Sequence, residues 1–339
     1  MKILIIGGTG LISTAITRYL LERGDDVTLC NRGKAESPQG AKQITGDRKD
    51  FNRFEAQMAE AGTFDCVLDM ICYLPEEAHS DIRAFKGRVG HFIFCSTVDV
   101  YSKPATRYPY LDNEPHGALN SYGQNKSICE QLFMEAHERG DFPVTTLRPA
   151  HTYGDSGALI HSFGWGMAYL DRLRRGKPII VHGNGQSLWV SAHVNDVGLS
   201  FVHAAGNEQA YGKGYHVTGE EWLTWNQYYQ KAAEVMGWPE PNLVHIPVPL
   251  LCKVAPQLAG SVADNFQFNN IFDNSAAKAD LDFRYTVTYA DGVRRVVSWS
   301  EEHGKIQSSD ENLFYDRLLA TWQRHGDEMA HELSSNSSG

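Results

Sequence analysis

Residues 2–13 of this 339-residue chain read Lys-Ile-Leu-Ile-Ile-Gly-Gly-Thr-Gly-Leu-Ile-Ser, and this stretch decides the fold. The apolar run over 2–6 predicts a buried strand, and a helical pattern follows the glycines as far as Arg23. Glycines between a strand and a helix place backbone N–H groups at the positive helix end, where a pyrophosphate would bind. A glycine-rich loop without a ligand is the alternative, but the strand–turn–helix context favours a phosphate site.

Strands and helices alternate through the rest of the first half of the chain. Short apolar runs recur, with helical stretches between them, at 27–30, 43–45, 66–70, 91–95 and 145–147. Apolar strands that alternate with helices indicate a parallel sheet covered on both faces. We therefore expect an α/β chain: a Rossmann-type, doubly wound parallel sheet with a smaller, mixed α/β C-terminal substrate domain.

The rhythm becomes irregular and rich in proline after about residue 155. We expect a nucleotide-binding domain over 1–155, with a return segment near 186–217. A substrate domain is expected over 156–185 and 218–330, and a flexible polar tail over 331–339.

The overall composition limits the classes of partner. A formal net charge of −10 argues against binding to nucleic acid or to an anionic membrane surface. No signal peptide and no apolar run of membrane-spanning length is visible, so we expect a soluble, cytoplasmic protein. His182, His193 and His203 lack the spacing of metal ligands, and we expect no metal. The cysteines stand singly, mostly in apolar runs, which indicates buried thiols: Cys30, Cys66, Cys72, Cys95, Cys129 and Cys252.

The second strand ends in Cys30-Asn31-Arg32-Gly33, which bears on the choice of cofactor. An acidic residue at position 31 would bind the ribose hydroxyls and repel a 2′-phosphate. Asn31 removes that repulsion and Arg32 offers a guanidinium to a phosphate, although a solvated arginine on a loop is the alternative. We therefore expect NAD(P), with NADP favoured over NAD.

Tyr122 and Lys126 stand four residues apart in Ser-Tyr-Gly-Gln-Asn-Lys, which places them on one face of a helix. An ammonium beside a phenol favours its ionised form, so we expect Lys126 to lower the pKa of Tyr122. Such a phenol exchanges a proton readily near neutral pH.

Several ordered motifs resemble those of the extended short-chain dehydrogenases/reductases, the NAD-dependent epimerase/dehydratase family. The likeness covers roughly residues 2–300, and Ser13 stands where that family has the third glycine of its turn. Its motifs here are the glycine turn, Phe94–Tyr101, Ser121–Lys126, Leu147–Gly154, His193–Val197 and Phe272–Lys278.

The resemblance assigns roles to particular residues. It implies that Tyr122 exchanges a proton with a substrate hydroxyl, that Lys126 also holds the nicotinamide ribose, and that Thr97 hydrogen-bonds the same substrate oxygen. Asp99, two residues after Thr97, would move a proton beside a transient ketone, or else it caps a loop. The expected cofactor-binding residues are Gly7, Thr9, Gly10, Leu11, Ile12, Asn31, Arg32, Asp47, Ser96, Tyr122, Lys126 and Pro149.

The substrate side departs from the family pattern. Trp189 stands where epimerases often carry an arginine for the diphosphate, and no arginine occurs near Ala263 for the second one. His151 replaces an asparagine. Loss of two guanidinium groups removes the bidentate partners of a diphosphate. We expect Tyr101, His151 and Trp189 to contact a sugar-like substrate. The candidates to replace the missing pair, unless they form a solvated helix end, are Arg172, Arg174 and Arg175.

Three functions remain open from the sequence. The first is an epimerase or dehydratase that acts on a sugar or sugar nucleotide and regenerates its cofactor. The second is a dehydrogenase or reductase of a non-nucleotide sugar or polyol with net cofactor turnover. The third is a non-catalytic, RNA-associated family member, because some members with an Asn-Arg-Gly second strand resemble RNA-associated chloroplast proteins. By analogy with the family, we expect a homodimer, with the helix of Tyr122 at its interface.

Overall fold

A parallel sheet forms the centre of the first part of the chain. The computed structural model describes residues 1–335. Its strands are β1 (Lys2–Ile6), β2 (Asp26–Asn31), β3 (Lys42–Thr45), β4 (Phe64–Asp69), β5 (Val89–Cys95), β6 (Val144–Pro149), β7 (His151–Tyr153), β8 (Ile160–His161), β9 (Gly164–Trp165), β10 (Ile179–His182), β11 (Leu188–Trp189), β12 (Ser191–His193), β13 (Lys213–Val217), β14 (Leu223–Thr224) and β15 (Leu243–Ile246).

The helices follow the expected alternation in the first half. They are α1 (Leu11–Glu22), α2 (Phe51–Ala61), α3 (Pro75–Phe85), α4 (Ser121–Glu138), α5 (Ala168–Arg174), α6 (Val194–Ala204), α7 (Trp225–Met236), α8 (Val248–Val254), α9 (Ser275–Leu281), α10 (Tyr289–Glu302) and α11 (Leu313–Ser335). Single turns of 3₁₀-helix occur at Val98–Val100, Glu208–Ala210 and Ser309–Glu311, and a π-helical turn at Val262–Phe266.

Seven of the described strands form one sheet in the order β13-β6-β5-β4-β1-β2-β3. All of its pairings are parallel, and β1 at its centre pairs Ile3 with Val27 on one side and with Cys66 on the other. Strand order 3-2-1-4-5-6 is that of the doubly wound dinucleotide-binding fold. The expected fold class is therefore confirmed.

The two faces of the sheet carry two separate hydrophobic clusters. Successive side chains of a strand point to opposite faces, so Ile3 and Ile5 enter the cluster that contains α1 and α6. Leu4 and Ile6 enter the other cluster, which contains residues of α2, α3 and α4. Because both faces are buried, β1 reads as a continuous apolar run rather than an alternating one.

The described chain divides into two compact units. The first comprises Met1–Gly157, Val190–Trp222 and Asn269–Gly292, and the second comprises Ala158–Trp189, Leu223–Phe268 and the chain from Val293 onward. The segment 269–292 was expected in the substrate domain, but it belongs to the first unit. Its helix α9 packs on β13 and α6, and Leu281 and Phe283 join the core of that unit.

The C-terminal part of the chain also differs from expectation. Residues 331–335, expected to begin a flexible tail, continue α11, and 336–339 lie outside the described residues. No helix in the described part of the chain is long and apolar enough to cross a bilayer. The cysteines are all free thiols, and all except Cys252 are buried, as expected.

Candidate active site

A serine hydroxyl closes the turn between β1 and α1. Ser13 Oγ accepts a hydrogen bond from the Gly10 N–H at 2.8 Å and donates one to the Gly7 carbonyl at 2.7 Å. Gly7 has a φ of +84°, and a Cβ atom on it would lie 2.5 Å from Cγ2 of Ile71. Only glycine fits there, on grounds of both conformation and space. Ser13, at the family's third glycine position, is thus part of the turn rather than a defect in it.

A pocket of about 550 Å³ opens beside this turn, at the carboxyl ends of β1, β2 and β3. Residues from three separate motifs of the sequence converge there. Six of the expected cofactor-binding residues line it: Gly7, Thr9, Gly10, Asn31, Arg32 and Asp47. The other lining residues are Cys30, Lys34, Ala35, Gly46, Arg48, Lys49, Ile71, Tyr73 and Glu77. Leu11 and Ile12 form the first turn of α1 and do not line this pocket.

Asn31 presents an amide N–H to this pocket region rather than a carboxylate. Its Oδ1 accepts hydrogen bonds from the Gly33 N–H at 2.8 Å and from Gln43 Nε2 at 3.3 Å. Its buried Nδ2 has no hydrogen-bond partner among the described residues. A buried donor of this kind is costly unless a ligand satisfies it. Arg32, Lys34 and Lys49 bring positive charge to the same pocket.

A buried ionic cluster lies in the wall of the pocket. The guanidinium of Arg48 pairs with Asp69, with Asp81 at 3.0 Å, and donates to the Glu77 carbonyl at 2.9 Å. Burial, and then repulsion from Asp69, raise the pKa of the Asp81 carboxyl well above its usual range. The ligand atoms of Asp69, Cys72 and Asp81 lie within 4.8 Å of one another, which is close enough to hold a metal ion. The Arg48 guanidinium, however, already supplies a positive charge to both acidic side chains.

Ser96 and Pro149 lie at the carboxyl ends of β5 and β6, at the same edge of the sheet as the pocket. Both are buried, and the Ser96 N–H donates to the Leu147 carbonyl at 2.8 Å. The Ser96 hydroxyl is a second buried polar group without a hydrogen-bond partner in the described chain. Two such atoms, on Ser96 and Asn31, are what a polar ligand at this edge would satisfy.

Helix α4 carries the expected catalytic pair. Asn120 caps it, since its Oδ1 accepts from the Gly123 N–H at 2.8 Å, and Tyr122 therefore stands in the first turn. The Tyr122 side chain is 42% exposed, and the Thr97 side chain lies near its phenolic oxygen. Lys126, one turn further, is buried. The helix thus places the Tyr122 phenol beside the Thr97 side chain and above the Lys126 ammonium.

Aromatic rings and a carbonyl surround the Lys126 ammonium. Its Nζ donates to the Cys95 carbonyl at 2.7 Å. It lies 4.7 Å from the ring centroid of Phe94, 4.8 Å from that of Tyr73 and 6.0 Å from that of Tyr122. Contacts with aromatic faces stabilise a cation that has lost its water. These contacts hold the Lys126 ammonium in a fixed position below the Tyr122 phenol.

The expectation that Lys126 lowers the pKa of Tyr122 is wrong for this arrangement. Burial of the phenolic oxygen raises the pKa of Tyr122, and Cys95, Asp99 and Tyr73 raise it further. The neighbouring Thr97 hydroxyl opposes the shift without reversing it. Because the ammonium is directed to the Cys95 carbonyl, it does not offset the desolvation of the phenol.

Asp99 pairs with a lysine that the sequence reading had overlooked. Lys103 Nζ lies 3.3 Å from Asp99 Oδ1 and 2.9 Å from Asn270 Oδ1. The Asp99 N–H donates to Thr97 Oγ1 at 3.2 Å, so the carboxylate is fixed relative to the catalytic hydroxyl. The lysine side chain is almost fully buried, and its Nζ lies next to the Asp99 carboxylate.

Tyr101 was expected to contact substrate, and the structure corrects this. The residue is fully buried, and its hydroxyl is 2.6 Å from His216 Nε2 and accepts from Arg148 Nη1 at 2.8 Å. Arg148 in turn forms a bidentate ion pair with Glu130 of α4. Tyr101 therefore belongs to an internal polar network that anchors α4 to β6.

His151 and Trp189 lie in different units, and both are buried. His151 Nδ1 is 2.7 Å from Ser191 Oγ, across the parallel pair β7–β12. Trp189 packs against Trp225 and Phe266, with ring centroids 5.3 Å and 5.0 Å away, inside the second unit. Its indole N–H has no hydrogen-bond partner among the described residues.

The arginines that might have replaced the missing diphosphate ligands are engaged elsewhere. Arg172 pairs with Asp316 at 2.8 Å, and Arg174 pairs with Asp171 at 2.7 Å. Arg175 contacts both Asp171 and Asp310. These pairs hold α5 against the C-terminal part of its own unit.

Sequence reasoning missed three residues of this site: Arg48, Tyr73 and Lys103. Arg48 directly follows Gly46-Asp47, and Tyr73 follows the end of β4, so their position at the sheet edge was a usable signal. Lys103 stands four residues after Asp99, but the helical turn ends at Val100, so the spacing alone does not indicate the pairing.

Comparison with known proteins agrees with this geometry. The model of the NAD dependent epimerase/dehydratase family matches residues 3–218. The chain is 29% identical over 259 residues to the chloroplast stem-loop binding protein of 41 kDa b of Arabidopsis thaliana, covering 72% of this chain and 65% of that protein. It is 26% identical over 183 residues to a UDP-glucose 4-epimerase of Bacillus subtilis, covering 45% of this chain and 53% of the relative. The chain thus spans less than two thirds of the length of either relative.

Solved structures share the fold at low sequence identity. A UDP-glucose-4-epimerase from Stenotrophomonas maltophila with bound NAD and formylated UDP-arabinopyranose superposes with a TM-score of 0.74 and 18% identity, over 91% of this chain and all (100%) of that one. A UDP-glucuronic acid 4-epimerase from Bacillus cereus in complex with NAD gives 0.71 and 17%, over 91% and 99%. The matched family model spans the glycine turn, the strand edge and the helix of Tyr122, and the chain belongs to the NAD dependent epimerase/dehydratase family.

Proposed function

We propose that this chain catalyses hydride transfer at a hydroxyl-bearing carbon of a sugar nucleotide or related sugar derivative, with a nicotinamide cofactor that is regenerated in each turnover. The observation that carries the proposal is the arrangement of Thr97, Tyr122 and Lys126. The half-exposed Tyr122 ring has its hydroxyl near Thr97 and lies 6.0 Å from the buried Lys126 ammonium.

Residues of this chain would donate the proton to the substrate oxygen and accept it back. Because its pKa is raised, Tyr122 holds its proton at neutral pH and is ready to donate it to a substrate carbonyl oxygen. Thr97 would hydrogen-bond the same oxygen. In the opposite direction, the positive charge of Lys126 would stabilise the phenolate that accepts a proton from a substrate hydroxyl. A nicotinamide, when bound, supplies and takes back the hydride.

The pocket at the sheet edge fits the adenosine half of such a cofactor. The glycine turn supplies N–H groups at the start of α1, and Asn31 Nδ2 and the Ser96 hydroxyl are buried groups that a ligand would satisfy. Solved neighbours contain NAD, which supports NAD here. Arg32 and Lys34 still favour NADP on electrostatic grounds. Titrating the protein with NAD and NADP while following tryptophan fluorescence decides between them.

Asp99 supports chemistry beside the oxidised carbon. Its carboxylate is held near Tyr122 and Thr97 and is charge-balanced by Lys103. A carboxylate there can remove a proton from the carbon next to a transient ketone, which a dehydratase or an epimerase at that carbon needs and a simple 4-epimerase does not. Incorporation of solvent deuterium at that carbon is the diagnostic measurement, and it should disappear in Asp99→Asn.

The substrate class is inferred from relatives and from the residues of the second unit. Epimerases among the relatives and neighbours act on UDP-sugars, as their names state. In this chain Trp189 is packed in an aromatic cluster where an arginine would grip a diphosphate. We therefore expect turnover by this chain to depend less on the diphosphate of the substrate than turnover by those epimerases does. Comparing turnover of a UDP-sugar with that of the matching sugar 1-phosphate tests this.

The decisive experiment incubates the protein with its cofactor and a panel of UDP-sugars. Products are followed by NMR, and reduced cofactor by its near-ultraviolet absorbance. Isomerised or dehydrated product without net reduced cofactor supports the proposal. Stoichiometric accumulation of reduced cofactor would instead establish the dehydrogenase alternative. Tyr122→Phe should lose about 10²-fold or more in rate. Tyr19→Phe, which removes a phenol from α1 outside the site, is the matched control.

A second candidate is RNA binding, which the similarity to the Arabidopsis stem-loop binding protein favours. The net charge of −10 opposes it, because phosphate contacts require clustered basic side chains. A stem-loop RNA titrated at low and physiological salt tests this function. Salt-sensitive binding that Tyr122→Phe leaves unchanged would support it, independently of turnover.

A further inference from the structure

Helix α11 continues an apolar stripe beyond the point where the rest of the chain covers it. Tyr315, Leu319 and Trp322 lie in its first half, where Tyr315 is buried and its hydroxyl accepts from the Ile180 N–H at 2.6 Å. From Gln323 to Ser334 every residue is exposed. The second half therefore extends without cover from the unit that anchors the first half.

The apolar stripe does not stop at that point. It runs through Tyr315, Leu319, Trp322, Gly326, Met329 and Leu333. Spacings of four and three residues alternate along it, which is the seam of a helix that packs lengthwise against another helix. Met329 is 61% exposed and Leu333 is 63% exposed, so the uncovered end of the seam carries large side chains in water. A short helix that buries nothing is marginal, which indicates that another surface covers it.

The uncovered seam is complementary to itself when read in the opposite direction. In an antiparallel pair with its twofold axis between Asp327 and Glu328, Gly326 faces the partner's Met329. A Cβ on Gly326 would have no atom within 4 Å, so there is open space for that side chain. Trp322 then faces the partner's Leu333. The Gly326–Met329 layer sets a small residue against a large one, and the Trp322–Leu333 layer sets two large apolar residues together, as knobs-into-holes packing allows.

Charges on the flank of the seam agree with this pairing. His325 comes opposite the partner's Glu332, twice by symmetry, so a carboxylate meets an imidazole rather than another acid. Within its own helix His325 Nδ1 contacts Glu328 Oε2 at 2.8 Å. On the far side of the helix the outward position is held by Arg324 and His331, which would stay in solvent.

A depression of about 690 Å³ lies at the anchored end of the uncovered seam, in the same unit. Its lining includes Trp322 together with Pro247, Val248 and Pro249, which make it largely apolar. The antiparallel pairing brings the partner's Leu333 to Trp322, at the edge of this depression. Two helix layers alone bury less than the roughly 800 Å² per partner of a stable interface, and this apolar surface adds to it.

From these features we propose that residues 323–335 of α11 pair antiparallel with the same segment of a second copy of this chain, with the partner's helix end received in the depression at Trp322. We infer a second copy of this chain as the partner because the seam is complementary to itself. This interface is separate from the helix of Tyr122, through which family analogy predicts a dimer, and it does not depend on the proposed activity.

Oligomeric state tests the proposal. Light scattering after size exclusion and sedimentation velocity should give a dimer for the full chain at micromolar concentration, or a tetramer where the helix of Tyr122 forms a second interface. Leu333→Asp and Met329→Asp should each weaken association by at least about 10-fold, since each places a carboxylate in the seam. His331→Asp, on the outer face of the same helix, is the matched control and should dimerise like the unaltered chain.

Cross-linking tests the register directly. In a Cys252→Ser background, a mixture of the Gly326→Cys protein and the Met329→Cys protein should form an intermolecular disulfide under mild oxidation by diamide. Each variant on its own should cross-link poorly, because like positions do not face each other. A monomeric full chain would overturn the proposal. So would a dimer that persists unchanged in both Asp variants, which would place the interface elsewhere.

Discussion

Replacing Arg48 tests the buried ionic cluster in the wall of the pocket. Arg48→Met removes the one guanidinium that contacts both Asp69 and Asp81, whose side chains have no solvent exposure. Removal of one partner from a buried ion pair typically costs about 3–5 kcal/mol, because the charge left behind has neither water nor a counter-ion. The ratio of folded to unfolded protein should therefore fall by a factor of about 10² to 5 × 10³.

Asp81→Asn is the matched control for that experiment. The raised pKa of Asp81 shows that burial favours its neutral form, so a neutral amide of the same size should cost less than the loss of the guanidinium. The pH dependence has a definite sign. A group whose pKa is raised on folding stabilises most at low pH and loses that contribution as pH rises towards the folded value. The free energy of unfolding of Asp81→Asn should therefore rise relative to that of the unaltered protein as pH increases from about 4.

Urea unfolding, followed by tryptophan fluorescence and circular dichroism at several pH values, measures both variants. If Arg48→Met does not fold, Arg48→Lys provides the measurement, because an ammonium keeps the charge but cannot reach all three partners. The reasoning is refuted if Arg48→Met unfolds within about 1 kcal/mol of the unaltered protein. It is equally refuted if Asp81→Asn is as costly as Arg48→Met.

Three further outcomes follow from the geometry of the site. Ser13→Ala should weaken dinucleotide binding about 10-fold, as read by fluorescence titration, because the Gly10 N–H and Gly7 carbonyl lose their bridge; unchanged affinity would contradict this. Burial raises the pKa of Asp112 to about 6, so Asp112→Asn should remove a loss of stability that the unaltered protein shows between about pH 4 and 6 in urea unfolding. Lys103→Met should abolish deuterium incorporation at the carbon beside the oxidised one while dinucleotide affinity stays unchanged; retained incorporation would remove Asp99 and its lysine from that step.

The sheet and the cofactor turn could be predicted from the sequence because they rest on local patterns. The apolar run 2–6 and its glycines determine a strand, a turn and a helix within twelve residues, and the regular alternation that follows leaves few topologies. The position of 269–292 could not be predicted in this way. Its place in the first unit depends on contacts of Leu281 and Phe283 with elements far away in sequence.

The candidate site was predictable where spacing on one helix or strand places side chains together, as for Tyr122 and Lys126. The prediction of site residues failed where burial of a side chain decides its contacts. Tyr101 has the position of a substrate ligand in the motif, but its hydroxyl is bonded to Arg148 and His216 inside the fold. The direction of the Tyr122 pKa shift also depends on desolvation, which spacing alone does not reveal.

The measurement that tests the central claim most directly is turnover of UDP-sugars by the unaltered protein and by Tyr122→Phe at matched cofactor saturation. The account predicts product from at least one UDP-sugar without net reduced cofactor, and a loss of about 10²-fold or more in Tyr122→Phe with dinucleotide affinity preserved. Equal turnover by Tyr122→Phe would contradict the role of the phenol. Absence of turnover with every UDP-sugar, in protein that binds the cofactor, would contradict the substrate class.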